Sequence, residues 1–93
     1  MPRFEVAHIH QPGQDMVIVL LERAFGRAPD REQQGIILEL QARSRAAGMR
    51  GTVVPVWDEG GRLGSIPPQP WRLFFESITP QWLAANLNKQ LYW

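Results

Sequence analysis

PDREQQGIILELQARSRAAG, residues 29–48, is the stretch whose reading decides the fold. Gln33, Ile36, Ile37, Leu40, Ser44 and Ala47 recur at i, i+3, i+4 and i+7, the spacing that gathers side chains on one face of a helix. Asp30 is suited to the N-cap, where its carboxylate accepts from the free N–H groups of the first turn. Gln33, three residues on, can reach back to the Asp30 N–H as a capping box. Asp30 and Glu32 put negative charge at the positive end of the helix dipole, and Arg43 and Arg45 put positive charge at the other. Glu39 and Arg43 form an i, i+4 pair in the favourable order. Gly48 suits the left-handed position that ends a helix. Against these, Gly35 in the interior costs about 1 kcal/mol relative to Ala.

Upstream of this helix the chain reads as a hairpin. RFEVAHIH (3–10) and DMVIVLL (15–21) flank Gln11-Pro12-Gly13-Gln14, in which Pro-Gly is a type II turn pair. A bare two-residue type II loop splays its strands, so a four-residue loop is expected. That register sets His10 opposite Asp15, His8 opposite Val17, Val6 opposite Val19 and Phe4 opposite Leu21. One face then carries Phe4, Val6, His8, Val17, Val19 and Leu21. The other carries Ala7, Ile9, Met16, Ile18 and Leu20. Both faces are apolar, whereas an antiparallel sheet with one wet side alternates. Either another helix or another molecule must therefore cover the face of Met16 and Ile18, and the favoured functional reading takes the second.

Downstream, TVVPVWD (52–58) is rich in β-branched residues and runs into Gly60-Gly61, a two-residue hairpin signal. This register sets Glu59 against Arg62, Asp58 against Leu63 and Trp57 against Gly64, an aromatic covering bare backbone. Pro55 has no N–H, so its nitrogen side must meet no ladder. Pro67 to Pro70 is a stiff spacer, after which PWRLFFES makes a short helical turn opened by Pro70. Thr79-Pro80 is an N-cap followed by proline at the first helical position, with Ile78 and Leu83 at the staple positions. Leu83, Leu87 and Leu91 then mark the inward stripe of a helix from Pro80 to about Leu91. The expected fold is α+β in the order ββαββα. Two β-hairpins form a small four-stranded sheet, packed with one long central helix and a C-terminal helix.

At 93 residues the chain is expected to form one domain, 1–93, large enough for a single core without staples. Its apolar fraction of 44% and charged fraction of 20% are those of globular proteins. It has no cysteine, which excludes disulfides and thiolate metal sites. The longest apolar run, Met16 to Leu21, is far short of a membrane span, and the N-terminus lacks a signal-peptide core. A cytoplasmic protein follows as the expectation. Lys89 is the lone lysine among ten basic residues, a bias that points to a GC-rich bacterial coding sequence. The net charge of +1 gives no global field to steer nucleic acid.

The residues support three functional readings. The first is a protein–protein interaction or homo-oligomerising module using Met16 and Ile18 on the sheet and Trp82, Tyr92 and Trp93 near the C-terminus. Trp and Tyr are the side chains that anchor interfaces, and the last quarter of the chain is crowded with aromatics. The second is RNA binding through Arg43, Arg45 and Arg50 with Trp57, which supply phosphate contacts and a stacking platform. The third is a metal site at His8, His10 and Asp15, two imidazoles and a carboxylate on one strand face. A surface His10–Asp15 pair with His8 packed in the core accounts for the same residues. Nucleophilic catalysis has little to build on, since Ser44, Ser65 and Ser77 lie in no G-x-S-x-G pattern. Gly60-Gly61-Arg62-Leu63-Gly64 lacks the lysine and following helix of a phosphate loop. No cofactor is expected, and the chain reads as a binding protein more than an enzyme.

Overall fold

A computed structural model of the chain describes residues 3–11 and 14–93. The Pro12-Gly13 turn lies outside the described residues. The central helix, α1 (Asp30–Ala46), presents the expected stripe: Gln33, Leu40 and Ser44 are buried, with Ile36 and Ile37 half-buried. Ala47 is exposed, and Met49 takes the buried position beyond the helix end. Gly48 adopts φ 81° as the residue after the C-cap. There the Met49 N–H donates to Ser44 O and the Gly48 N–H to Arg45 O, the paired bonds of a Schellman ending.

The helix start differs from the sequence expectation by one residue. Pro29 is the N-cap, Asp30 is already helical, and no side chain caps the first turn. The capping box therefore does not form. Gln33 instead turns inward and donates through Nε2 to the carbonyl of Phe25 at 2.9 Å. That bond ties α1 to the 3₁₀ turn Arg23–Arg27 that precedes it.

Five strands form one mixed sheet in the order β4-β3-β2-β1-β5. β1 (Arg3–Gln11) and β2 (Gln14–Leu21) pair antiparallel in the expected register, with Val6 on Val19, His8 on Val17 and His10 on Asp15. The ladder runs as far as Gln11 on Gln14, one pair further than a four-residue loop allows. Phe4 pairs with Leu91 of the fifth strand. β3 (Thr52–Asp58) lies parallel to β2, so α1 is the crossover between them. β4 (Leu63–Ser65) turns back on β3 with Trp57 opposite Gly64 and Asp58 opposite Leu63, as the Gly-Gly register requires. Gly60 and Gly61 both have positive φ, 80° and 101°, and both N–H groups donate to Asp58 Oδ1 at 2.9 and 3.0 Å. Pro55 sends its carbonyl to Ile66 N at 3.2 Å, past the end of β4, so its N–H is missed by no strand.

The expected four-stranded ββαββα arrangement is corrected at the C-terminus. After α2 (Arg72–Ser77), the last helix α3 (Pro80–Asn86) stops five residues early. Leu87 turns extended at φ −65°, ψ 119°, and β5 (Lys89–Tyr92) joins the edge of β1. Three leucines at helical spacing thus serve different layers. Leu83 packs beneath the helices on one side of the sheet, whereas Leu91 packs with Val6 and Leu40 on the other. Asn86 and Asn88 are the cause, being poor helix formers with polar groups suited to chain ends. Asn86 donates to Trp82 O at 2.8 Å, closing the helix. Asn88 accepts from His8 N at 2.9 Å and donates to His8 O at 3.1 Å, continuing the β5 pairing with a side chain in place of backbone.

The same device occurs at the opposite side of the sheet. Gln41 of α1 donates to Gly51 O at 3.0 Å and accepts from Val53 N at 2.9 Å, where β4 does not reach. The core is consequently two layers of apolar packing on either face of the sheet. One holds Val6, Val17, Val19, Leu40 and Trp57 beneath α1. The other holds Ala7, Met16, Ile18, Val54 and Val56 beneath Phe75 of α2 and Leu83 of α3.

Candidate functional site

The sheet face assigned to a neighbouring molecule is covered by the chain itself. Met16 is 2% exposed and Ile18 fully buried, both enclosed by Phe75 and Leu83. The physical reason is that the expected short turn at PWRLFFES is a full helix, α2, and it packs with α3 across this face. Their aromatics widen the cover: Phe74 meets Phe75 and Trp82 edge-on, at centroid distances of 5.1 and 5.6 Å. Trp82 is half-buried in this cluster. Met16 and Ile18 are out of reach of a partner, and Trp82 is engaged within the chain.

Tyr92 and Trp93 have a different setting. Both lie at the end of β5, beside the start of β1, because the antiparallel pairing sets Tyr92 against Arg3. Tyr92 is 65% exposed. Trp93 is half-buried, with its ring 5.5 Å from that of Phe4 and the Arg43 guanidinium 4.9 Å above it. It forms one wall of an open groove of about 940 Å³ between the end of the sheet, the 3₁₀ turn and the first half of α1. The floor is apolar, made by Phe4, Leu21, Phe25, Ile36 and Leu40. Charged side chains line its margin: Glu22, Glu32 and Glu39 with Arg27 around the helix and turn, and Arg3 with Glu5 on β1. A volume of this size is that of a ligand or peptide cleft. α1 is the crossover between β2 and β3 and reaches the end of β5 through Arg43, so the groove opens between the first half of α1, the 3₁₀ turn and the neighbouring ends of β1 and β5.

The Arg and Trp of the RNA reading are not brought together. Trp57 is 7% exposed and sits at the C-terminal end of β3, whereas Arg50 precedes its N-terminal end. The indole lies against Phe25, centroids 5.4 Å apart, donates from Nε1 to Glu59 and leaves no room for a Cβ at Gly26 or Gly64. It offers no face to a base. Arg43 is drawn to Trp93 and to Glu39 at 3.8 Å, while the Arg45 and Arg50 side chains are exposed.

His10 and Asp15 do meet, Nδ1 to Oδ1, on the surface near the hairpin turn. His8, two residues along the same face, points elsewhere: its Nε2 donates to Arg50 O at 2.8 Å. A carbonyl only accepts, so that nitrogen carries the proton and is not free for a metal. Among the described residues no group of three or more His, Cys, Asp or Glu side chains converges in a manner suited to a metal ion.

The sequence reading missed the groove floor. Phe4 on the hairpin face and Ile36 on the helix stripe read as core, and the signal that could have exposed the groove is Trp93 itself. A terminal tryptophan needs an apolar surface to lie on, and Phe4 becomes that surface once residues 89–92 are read as a strand. Comparison with family models, curated proteins and solved structures finds no match for this chain.

Proposed function

We propose that this protein is a small protein-interaction module whose contact surface is the groove ending at Trp93, with Tyr92 at its margin. The observation that supports this reading is an open apolar floor walled by an aromatic that the chain's own packing leaves half-covered. Apolar surface in such a groove is worth about 25 cal/mol per Å² when a partner removes it from water. A few aromatic anchors in a concave site carry most of the affinity of such contacts. The sheet face that first suggested an interaction contributes nothing, because α2 and α3 bury it.

Affinity capture from the organism's own extract, with wild type and a Trp93→Ala/Tyr92→Ala variant side by side, tests the reading. A partner retained by the wild type and lost by the folded variant is the expected result. Equal capture by both proteins removes the groove from consideration. No helix among the described residues is long and apolar enough to cross a membrane.

A further inference from the structure

We infer that the groove takes a basic segment with an apolar centre, supplied by another protein and not by a second copy of this chain; the inference rests on the interaction reading above and gives the partner its chemistry.

The first support is the sign of the margin. Glu5, Glu22, Glu32 and Glu39 line the groove against Arg3 and Arg27, with Arg43 over Trp93 at one corner, so acids exceed bases by one at this margin on a chain whose net charge is +1. The excess is placed to act on an occupant. Glu32 and Glu39 stand seven residues apart on α1 and straddle Ile36 of the floor, while Glu22 faces them from the start of the 3₁₀ turn. Glu5 is partly engaged, accepting from Gln90 Nε2 at 3.0 Å. Low-dielectric walls between like charges focus a field that draws cations.

The second support is that one corner already holds a cation of the required kind. The Arg43 guanidinium lies 4.9 Å above the Trp93 ring and 3.8 Å from Glu39. An aromatic face with a carboxylate beside it is a site for a guanidinium or ammonium group. The Arg43–Glu39 pair is long and about half exposed, so a partner's arginine can share or replace it at small cost.

The same charges argue against self-association through this face. A two-fold dimer places the same patch on both sides of the contact. Groove against groove would bring two margins with the same acidic excess together. A partner of opposite sign satisfies both the floor and the rim.

Panning phage-displayed random peptides on the folded protein at low salt, followed by titration of the enriched peptides, tests this. The expected consensus has a Leu, Ile, Phe or Trp anchor flanked by Arg or Lys. Its binding should weaken as salt rises, since exposed charges are screened beyond about 8 Å at physiological ionic strength. Glu22→Gln/Glu32→Gln should weaken it roughly three- to tenfold, the range expected of exposed charge pairs. Trp93→Ala should abolish it. An apolar consensus without basic residues, lost with Trp93→Ala, overturns the charge inference and leaves the interaction reading standing. No enrichment, or peptides that bind Trp93→Ala as well as wild type, overturns both. A salt-stable dimer that competes with peptide overturns the choice of occupant.

Discussion

The two faces of the sheet are equally apolar in sequence and end in opposite conditions. Beneath α2 and α3, seven core residues from Ala7 to Leu83 are closed in by a second shell of half-buried aromatics and aliphatics. Beneath α1 the core is closed from Val6 to Leu91, but an open groove remains where the first half of the helix, the 3₁₀ turn, Phe4 and Trp93 meet. The difference lies in the covers. Two short helices joined by a bend can tile a face, whereas a single straight helix shelters a strip. An interaction site on this fold therefore belongs at the end of the long helix's shadow.

The largest test of that contrast is to cut one aromatic from each face. Phe75→Ala, at a side chain 2% exposed, should cost about 3–5 kcal/mol in denaturant unfolding. Phe4→Ala, half-buried on the open side, should cost well under half as much. Equal losses would show that the open side is packed as tightly as the sealed one. Gly64→Ala comes next. The new methyl has no room beside the Trp57 indole and should destabilise by about 1–3 kcal/mol, the cost of overpacking, with a shift in near-ultraviolet circular dichroism.

Gln41→Ala sharpens the comparison from the edge. It strips partners from the part-buried Gly51 and Val53 backbone and should cost about 1–3 kcal/mol. Asn88→Ala, whose bonds to His8 are exposed, should cost about 1 kcal/mol, and amide exchange at His8 should report it. The smallest effect expected is at the exposed Asp58. Hydrogen bonds from the Gly61 and Gly60 N–H groups hold its carboxyl below the usual range. A depressed folded pKa means its contribution is present above the ordinary carboxyl value and fades as pH falls through the folded one. Asp58→Asn should lower the melting temperature slightly at neutral pH and leave it unchanged in acid, flattening the acid-side slope.

Much of the fold was legible because local signals agreed. The α1 stripe, Gly48, the Val6–Val19 register and the Trp57–Gly64 pair each rest on short-range patterning that the tertiary structure had no reason to override. Three features were not legible, for physical reasons. Gln33 reads equally as a cap partner or a buried donor, and only the position of Phe25 decides it. Leucines at positions 83, 87 and 91 have helical spacing by coincidence, and two asparagines break the helix between them. The two helical pieces in residues 72–86 were legible, but that they pack together over Met16 and Ile18 was not, because periodicity over six or seven residues does not say which surface a short helix covers. For the site, the terminal aromatics were visible in composition. The groove was not, because its floor is assembled from four separate segments.

The amide side chains of Gln41 and Asn88 have one more consequence. A naked strand flank invites another chain to zip alongside it, and many proteins repel such visitors with charge. Here the stretches of β3 and β1 that the short edge strands leave uncovered at Gly51–Val53 and His8 are instead occupied by a resident that offers both a donor and an acceptor, as a true strand would. Because neither amide titrates, this guard against fibre growth holds at acid and neutral pH alike.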